Sequence, residues 1–337
     1  MELPLVEQGR WGAERAQAWY DGRPAPYGVN LVPSTAVNST EMWQEETFDP
    51  ITLDRELGLA ERCGFNSCRV FVQHLVWRDD PRAMRDRLDT FLSLADGHGI
   101  STVPILYDDC AFAGKEPHLG PQAAPIAGLH NSGWTPSPGP RSADDRAAWP
   151  DLEAYVQDLV GSFGTDRRVL LWDLYNEPGN GGRGDRSLPL LEHVFAWARA
   201  VTPAQPLTVG AWGYAPADAR ALALCDVVTF HDYDPLSILL PRLAALKARG
   251  YPVICTEWMA RTRGSLPTTH LPFFARERIG CYLWGLVNGR TQTHLPWESP
   301  EGGPEPDLWF HDLFHADGTP YDQVEIDTIK MFSAELL

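Results

Sequence analysis

Residues 169–178 read VLLWDLYNEP, an apolar run that stops at Glu177 and Pro178. An uninterrupted apolar run is typical of a parallel strand that is covered on both faces. Pro178 cannot donate a hydrogen bond to a sheet, so it ends the strand just past the glutamate. A second run, Val253–Thr256, stops in the same way at Glu257. The sequence therefore predicts two glutamates at the carboxyl ends of two parallel strands.

Runs of this kind recur along the whole chain, each followed by a turn and a helical pattern. The predicted strands are Gly28–Val32, Ser67–Val72, Ser101–Leu106, Val169–Leu174, Leu207–Gly210, Val227–His231, Val253–Thr256 and Gly280–Trp284. Eight strand–helix units in roughly 300 residues are typical of a (β/α)8 barrel. A doubly wound sheet is the alternative, but its usual glycine-rich first turn is missing after the first strand. We therefore predict an α/β fold, a single (β/α)8 TIM barrel that forms one catalytic domain over residues 1–337.

Two long connections interrupt this rhythm, Asp108–Pro150 after the third strand and Asn288–Leu308 after the eighth. Loops that follow strands lie on the catalytic face of a barrel, and long ordered loops are usually functional. We expect both loops to rise on the same side and to narrow one cleft. A narrowed cleft favours chain ends or short oligomers over the middle of a polymer.

Charge and aromatic content limit the class of partner. Lys+Arg 28 against Asp+Glu 45 gives a net charge of −17, which would be repelled by nucleic acid and by anionic membranes. The chain also has 13 tryptophans, and several lie in loop-like stretches: Trp43, Trp77, Trp134 and Trp297. Exposed aromatic faces suit the flat C–H faces of sugars. A carbohydrate is therefore the expected partner.

Paired carboxylates at one barrel mouth suit the hydrolysis of a glycosidic bond. One carboxyl group is kept neutral and protonates the leaving oxygen, while the other stays ionised and attacks the anomeric carbon. A retaining enzyme of this kind needs the two groups about 5 Å apart. We expect that separation between Glu177 and Glu257.

Four further side chains that suit sugar or carboxylate binding lie on or near other predicted strand ends: Arg69, His231, Tyr233 and Trp284. Together with Asn176-Glu177-Pro178 and Glu257, they resemble the glycoside hydrolases of clan A, and most closely family 5, the cellulase-like family. The resemblance extends from about Tyr27 to Trp297.

The resemblance implies a role for each matching residue. Glu177 is then the acid/base and Glu257 the nucleophile of a retaining mechanism. Arg69 braces the nucleophile, and Trp284 forms the floor of the sugar subsite. Because a nucleophile must stay ionised, we also expect the Tyr233 hydroxyl to donate a hydrogen bond to it. His231 belongs to the His-x-Tyr pair of the sixth strand, where we expect it to orient its neighbours.

One position departs from the family pattern. The family usually has a histidine after the third strand, whereas this chain has Asp108 and Asp109 there. We expect one of these carboxylates to accept hydrogen bonds from sugar hydroxyls, with Asn176 holding another hydroxyl. Trp43 and Trp297 are predicted to contact the substrate as well. Because the family's histidine is missing here, the resemblance to cellulases does not identify the substrate of this chain.

Two other functions use the same fold. A non-catalytic carbohydrate-binding barrel is disfavoured because both glutamates are present, and a transglycosylase would use the same residues while excluding water. We expect no metal and no organic cofactor. His311 and His315 have a helical spacing, but no glutamate follows the first histidine, so a zinc site is disfavoured.

The amino terminus and the cysteines bear on the compartment. Residues 1–8 contain no basic segment followed by an apolar one, so no signal peptide is predicted. The six cysteines form no C-x-x-C pair and include residues of apolar runs, as in a reducing environment. We therefore expect a cytoplasmic protein. The sequence leaves the oligomeric state open.

Overall fold

The structure, a computed structural model, describes residues 9–112, 115–213 and 216–336. The amino-terminal segment used for the prediction of compartment lies outside the described residues. The strands are β1 (Tyr27–Asn30), β2 (Ser67–Phe71), β3 (Ser101–Asp108), β4 (Trp172–Asn176), β5 (Leu207–Gly210), β6 (Val228–His231), β7 (Val253–Trp258) and β8 (Gly280–Trp284). The α-helices are α1 (Ala13–Asp21), α2 (Ser39–Trp43), α3 (Pro50–Arg62), α4 (His74–Asp79), α5 (Pro81–Gly97), α6 (Pro140–Asp144), α7 (Trp149–Phe163), α8 (Leu188–Ala200), α9 (Pro216–Leu224), α10 (Leu236–Lys247), α11 (Pro267–Glu277) and α12 (Gln323–Leu336).

The strands form one parallel sheet in the order β5-β4-β3-β2-β1-β8-β7-β6. The two outer strands meet through a parallel bridge between Ala211 and Phe230, and the His231 amide donates to the Ala211 carbonyl at 2.7 Å. The sheet is thereby nearly closed on itself, with helices between the strands. The predicted (β/α)8 barrel is confirmed, and the doubly wound alternative is excluded.

Helix α5 illustrates how the sequence builds the outer ring. The Asp80 side chain caps its first turn by accepting from the Ala83 amide at 2.9 Å, and Pro81 occupies the first helical position. Its buried residues recur with helical spacing: Met84, Leu88, Phe91, Leu92 and Ala95. This apolar stripe packs on the barrel while charged residues face outward. Within the described ranges, every helix is too short or too polar to span a bilayer.

Two of the tryptophans predicted in loops lie in short helices instead. Trp43 ends α2 and is fully buried, with its indole Nε1 donating to the Phe71 carbonyl at 2.6 Å. Trp77 lies in α4 and donates to Asp158 at 2.7 Å. Trp43 therefore packs beneath the barrel wall rather than contacting substrate, contrary to the prediction. Isolated short helices of this kind carry too little periodicity to be recognised in sequence.

The two long loops are tied to each other above the carboxyl ends of the strands. The Asn131 amide donates to the Thr291 carbonyl at 2.8 Å. The Gln292 side chain donates to the carbonyls of Ile126 and Leu129 at 2.8 and 3.1 Å. Both loops therefore rise on one side of the barrel, as expected from their positions after β3 and β8.

Candidate active site

A cavity of about 480 Å³ opens where these loops meet the carboxyl ends of the strands. Its wall combines aromatic rings with a few polar groups, as small-ligand sites usually do. The lining residues are Phe71, Cys110, Ala111, Phe112, His130, Asn131, Trp134, Asn176, Glu177, Asn180, Trp212, Gly213, His231, Asp232, Tyr233, Asp234, Arg242, Glu257, Arg263, Trp284, Trp297 and His311.

Glu177 follows the last residue of β4 and has a left-handed backbone, with φ 45°. Its amide donates to the Gly210 carbonyl of β5 at 2.9 Å, which anchors this unusual conformation. Non-glycine residues seldom adopt positive φ, and such strain is concentrated at functional sites. Burial raises the pKa of Glu177 to about 7, although the amide of Asn180 donates to its Oε2 and opposes that shift.

Glu257 lies within β7, one residue beyond the strand end expected from sequence. Its Oε1 accepts from Arg69 Nη1 at 2.7 Å, and its Oε2 accepts from the Tyr233 hydroxyl at 2.7 Å. Burial raises the pKa of Glu257, and the charge of Arg69 together with the Tyr233 hydrogen bond opposes that rise. Both partners favour the ionised carboxylate.

His231 lies between the two carboxylates. Its Nδ1 is 2.7 Å from Glu177 Oε1 and 3.4 Å from Glu257 Oε2. One oxygen of each glutamate and one nitrogen of this histidine all lie within 4.8 Å of one another. Burial lowers the pKa of His231 to about 4, so the imidazole is neutral at pH 7.

This triad has the spacing of a metal site, but one of its two carboxylates already pairs with a cationic side chain. The Arg69 guanidinium is fully buried and touches Glu257, so it occupies the place that a cation would take beside that carboxylate. That no metal is needed stays a prediction.

Arg69 acts beneath the cavity rather than in its wall. Its guanidinium donates to Asn30 at 2.8 Å, to Asp173 at 2.9 Å and to Asn176 at 2.5 Å, besides Glu257. Four strands are joined by this one buried cation. Arg69 therefore positions the carboxylate and the amide above it instead of contacting substrate.

Asp108 and Asp109 also lie behind the cavity wall, which corrects the expectation that they contact sugar hydroxyls. Asp108 accepts from Asn176 Nδ2 at 2.8 Å and from Trp134 Nε1 at 2.7 Å. Asp109 accepts from the Tyr175 hydroxyl at 2.8 Å and pairs with Arg183 at 3.1 Å. Both carboxylates are buried and saturated by protein donors, so neither is available to a ligand. Asn176 itself lines the cavity, and its contact with a sugar hydroxyl stays a prediction.

Aromatic side chains form the rest of the wall. Trp284 is half-buried and packs edge-on against Phe71 at 5.8 Å between ring centroids. Trp297 is 37% exposed and packs edge-on against Tyr233 at 5.3 Å. Trp134 contributes from the first long loop. Trp284 and Trp297 are thus brought to the cavity, whereas Trp43 is not.

Several cavity residues were not found by sequence reasoning. Asn180 lies in a glycine-rich stretch, three residues after Glu177. This closeness to a proposed catalytic residue is the sequence feature that could have identified it. Trp212 follows β5, is 39% exposed and donates to the Pro178 carbonyl at 3.4 Å. Asn131 comes from the first long loop and His311 from the segment just after the second, and nothing local in sequence places them together.

Comparison with known families supports the predicted resemblance. A family model described as cellulase (glycosyl hydrolase family 5) matches residues 125–289, a segment that contains both glutamates. No curated protein sequence matches the chain.

Solved structures share the barrel at low sequence identity. A GH5_18 protein from Streptomyces cattleya, in complex with GlcNAc, is 13% identical, with a TM-score of 0.63 over 93% of this chain and 80% of that one. An exo-β-1,4-mannosidase from an Opitutaceae bacterium is 19% identical, with a TM-score of 0.64 over 99% of this chain and 62% of that one. An endo-1,4-β-mannanase from Rhizomucor miehei is 12% identical, with a TM-score of 0.60 over 94% and 96% of the two chains.

Proposed function

The chain is a glycoside hydrolase that resembles family 5 of clan A, and from this premise we propose that it cleaves a β-glycosidic bond with retention of configuration. In this proposal Glu257 is the nucleophile and Glu177 the acid/base. The observation that most directly supports this proposal is that one oxygen of the Glu177 carboxylate lies within 4.8 Å of one oxygen of the Glu257 carboxylate. Retaining enzymes need about 5–5.5 Å between these groups, whereas inverting enzymes need about 6.5–9.5 Å to admit a water.

The environments of the two glutamates suit different steps. The hydrogen bonds from Arg69 and Tyr233 favour an ionised Glu257, ready to attack the anomeric carbon. A Glu177 whose pKa is about 7 can hold the proton that the leaving oxygen needs. After the glycosyl–enzyme bond has formed, the Glu177 carboxylate removes a proton from water, and that water releases the sugar from Glu257.

We further propose that the substrate is a β-linked oligosaccharide or small glycoside, attacked at its chain end. The tied loops bring Trp297 beside Tyr233, and Tyr233 holds the nucleophile. Trp212 contacts the backbone next to Glu177, where the leaving group departs. An aromatic face there suits an aglycone sugar or an aryl group.

The first substrates to test follow from the similar folds. One is an exo-β-1,4-mannosidase, and the Streptomyces cattleya barrel is also known in complex with Manβ1-4GlcNAc. β-Mannosides therefore come first in a panel of aryl β-glycosides that also contains glucose, galactose, xylose and arabinose.

The decisive experiment follows the anomer released first by proton NMR. Retention gives the β-anomer first, followed by mutarotation, and an initial α-anomer would reject the mechanism. Glu257→Gln should abolish turnover of every glycoside. Glu177→Gln should lose about 10²- to 10⁴-fold on poor leaving groups and far less on activated aryl groups.

Glu61→Gln is the matched control, because Glu61 is exposed and pairs only with His98 among the described residues. It should keep the wild-type rate. Wild-type rates in Glu257→Gln would overturn the nucleophile assignment. Rapid loss of polymer viscosity without cleavage of any disaccharide would overturn the chain-end proposal.

A further inference from the structure

Besides His231, whose Nε2 also has no partner, two polar side chains in the cavity wall carry buried atoms that have no hydrogen-bond partner among the described residues. These atoms are His311 Nε2 and Asn131 Oδ1. Both residues line the cavity, and each is 1% exposed. Buried polar atoms are nearly always hydrogen-bonded to protein, ligand or water, so these two atoms are open to a polar group that enters the cavity.

The tautomer of His311 is fixed by its other nitrogen. Nδ1 lies 2.6 Å from the Met259 carbonyl, which can only accept, so Nδ1 carries the proton. Burial lowers the pKa of His311 well below its usual value, so the ring stays neutral. Nε2 is then a lone-pair acceptor, and only a ligand group with a proton to give can pair with it.

Asn131 is held rigidly beside this acceptor. Its backbone is left-handed, with φ 48°, and its amide donates to the Thr291 carbonyl of the second long loop at 2.8 Å. The neighbouring His130 packs against His311 at 5.6 Å between ring centroids. The two atoms without partners therefore belong to one wall, which lies beside the place where the two long loops are tied.

This wall stands on the side of the nucleophile. The His311 ring lies 5.4 Å from the ring of Tyr233, whose hydroxyl donates to Glu257. The sugar that Glu257 attacks is therefore the one that the wall can reach. The acid/base side of the cavity is bounded instead by Trp212, which contacts Pro178.

We infer that Asn131 and His311 are specificity-determining residues that hydrogen-bond free hydroxyl groups of the sugar bound over Glu257. The inference rests on the proposed function and deepens it, since an acceptor needs a hydroxyl that still has its proton. A glycosidic oxygen has none. The wall therefore selects a sugar that is unsubstituted at the positions it contacts, and a sugar linked through one of those positions cannot pair with it.

The test asks which sugar hydroxyl each of the two side chains contacts. The aryl β-glycoside that wild type cleaves fastest is compared with its 2-, 3-, 4- and 6-deoxy forms, on wild type, His311→Asn and Asn131→Gly. His311→Asn keeps a donor for the Met259 carbonyl but has no acceptor at the position of Nε2. Asn131→Gly keeps the left-handed backbone accessible. His74→Asn is the control, since His74 is also buried but lies outside the cavity wall.

For wild type we expect one or two deoxy forms to lose about 10-fold or more in kcat/KM. In the matching variant the parent and that deoxy form should react equally, and His74→Asn should keep the wild-type ratio. Equal ratios in wild type and both cavity variants would overturn the inference. If His311→Asn does not fold, as judged by circular dichroism, Asn131→Gly alone decides. A wild type that cleaves no glycoside would instead refute the proposed function.

Discussion

The Asp108 carboxylate accepts a 2.8 Å hydrogen bond from the side-chain amide of Asn176, the residue that precedes the proposed acid/base. Asn176 Oδ1 accepts from Arg69 at the same time, so both ends of this amide are held by protein. One amide hydrogen is left over for a ligand. A carboxylate at the end of β3 thus fixes the direction in which Asn176 points.

Asp108→Asn should therefore impair catalysis although the shape is nearly kept. Asp108 accepts hydrogen bonds from both Asn176 and Trp134. In Asp108→Asn the new NH2 group would face one of these two donors, and that hydrogen bond would be lost. We expect kcat/KM to fall about 10- to 100-fold. Asp96→Asn, a change at a half-exposed surface residue, should leave the rate unchanged, and an unchanged rate in Asp108→Asn would show that Asn176 needs no such support.

The pH dependence of kcat/KM should follow the protonation of Glu177. Its pKa is raised to about 7 by burial, and the acid step needs the protonated form, so kcat/KM should fall as pH rises through about 7. Asn180 donates to the carboxylate and favours its ionised form. Asn180→Ala removes that donor, so the pKa should rise and the basic limb should move to higher pH.

Asn66→Ala is the control for this shift. Asn66 precedes β2, at the amino end of the barrel, and its side chain contacts the backbone of Ala25 and Tyr27. Its removal should lower stability without moving the basic limb. If the fall of kcat/KM at high pH occurs at the same pH in Asn180→Ala as in wild type, that fall does not reflect the titration of Glu177.

Arg69→Met should destabilise the folded barrel severely. It leaves the Asp173 and Glu257 carboxylates buried without their cation. Removing one member of a buried ion pair costs about 3–5 kcal/mol, to be measured by denaturant unfolding. Arg82→Met removes an exposed pair with Asp86 at 3.9 Å and should change the free energy of unfolding by less than about 1 kcal/mol. If the two variants lowered the free energy of unfolding equally, Arg69 would not be the buried cation that holds the four strands together.

Gln292→Asn should loosen the tie between the two long loops. Its side chain donates to the carbonyls of Ile126 and Leu129 from a backbone with φ 53°, which asparagine also tolerates. The shorter amide cannot reach both acceptors. We expect faster hydrogen exchange at residues 126–131 and a several-fold higher KM with little change in kcat, while an unchanged exchange pattern would mean that other contacts suffice.

Sequence predicted the barrel and its two glutamates because both depend on local pattern. Each strand is a short apolar run, and parallel strands bring their carboxyl ends to one mouth whatever the loops do. Glu177 and Glu257 could therefore be placed together from strand ends alone. The bounds were less accurate, since β4 and β7 extend to Asn176 and Trp258, two residues further than the apolar runs suggest.

The errors concern residues whose role is set by distant partners. Trp43 was expected in a loop, but it is buried against the Phe91 ring at 5.7 Å. Asp108 was expected in the cavity, but Trp134, brought over by the first long loop, covers it. His311 was weighed only as a zinc ligand, since nothing near it in sequence reveals the cavity it lines. No local periodicity encodes such contacts.

The tie between the loops also has a consequence for how the enzyme is made. His130 Nδ1 lies at hydrogen-bonding distance from the Leu295 carbonyl, 165 positions later in the sequence, so this corner of the cavity can close only after Leu295 has been synthesised. Contacts of such separation form late in folding. A nascent chain that already contains both glutamates would still lack the wall that orders its sugar. A sugar that needs this wall can therefore bind only after residues beyond both glutamates have folded into place, and its binding reports that this part of the barrel is complete.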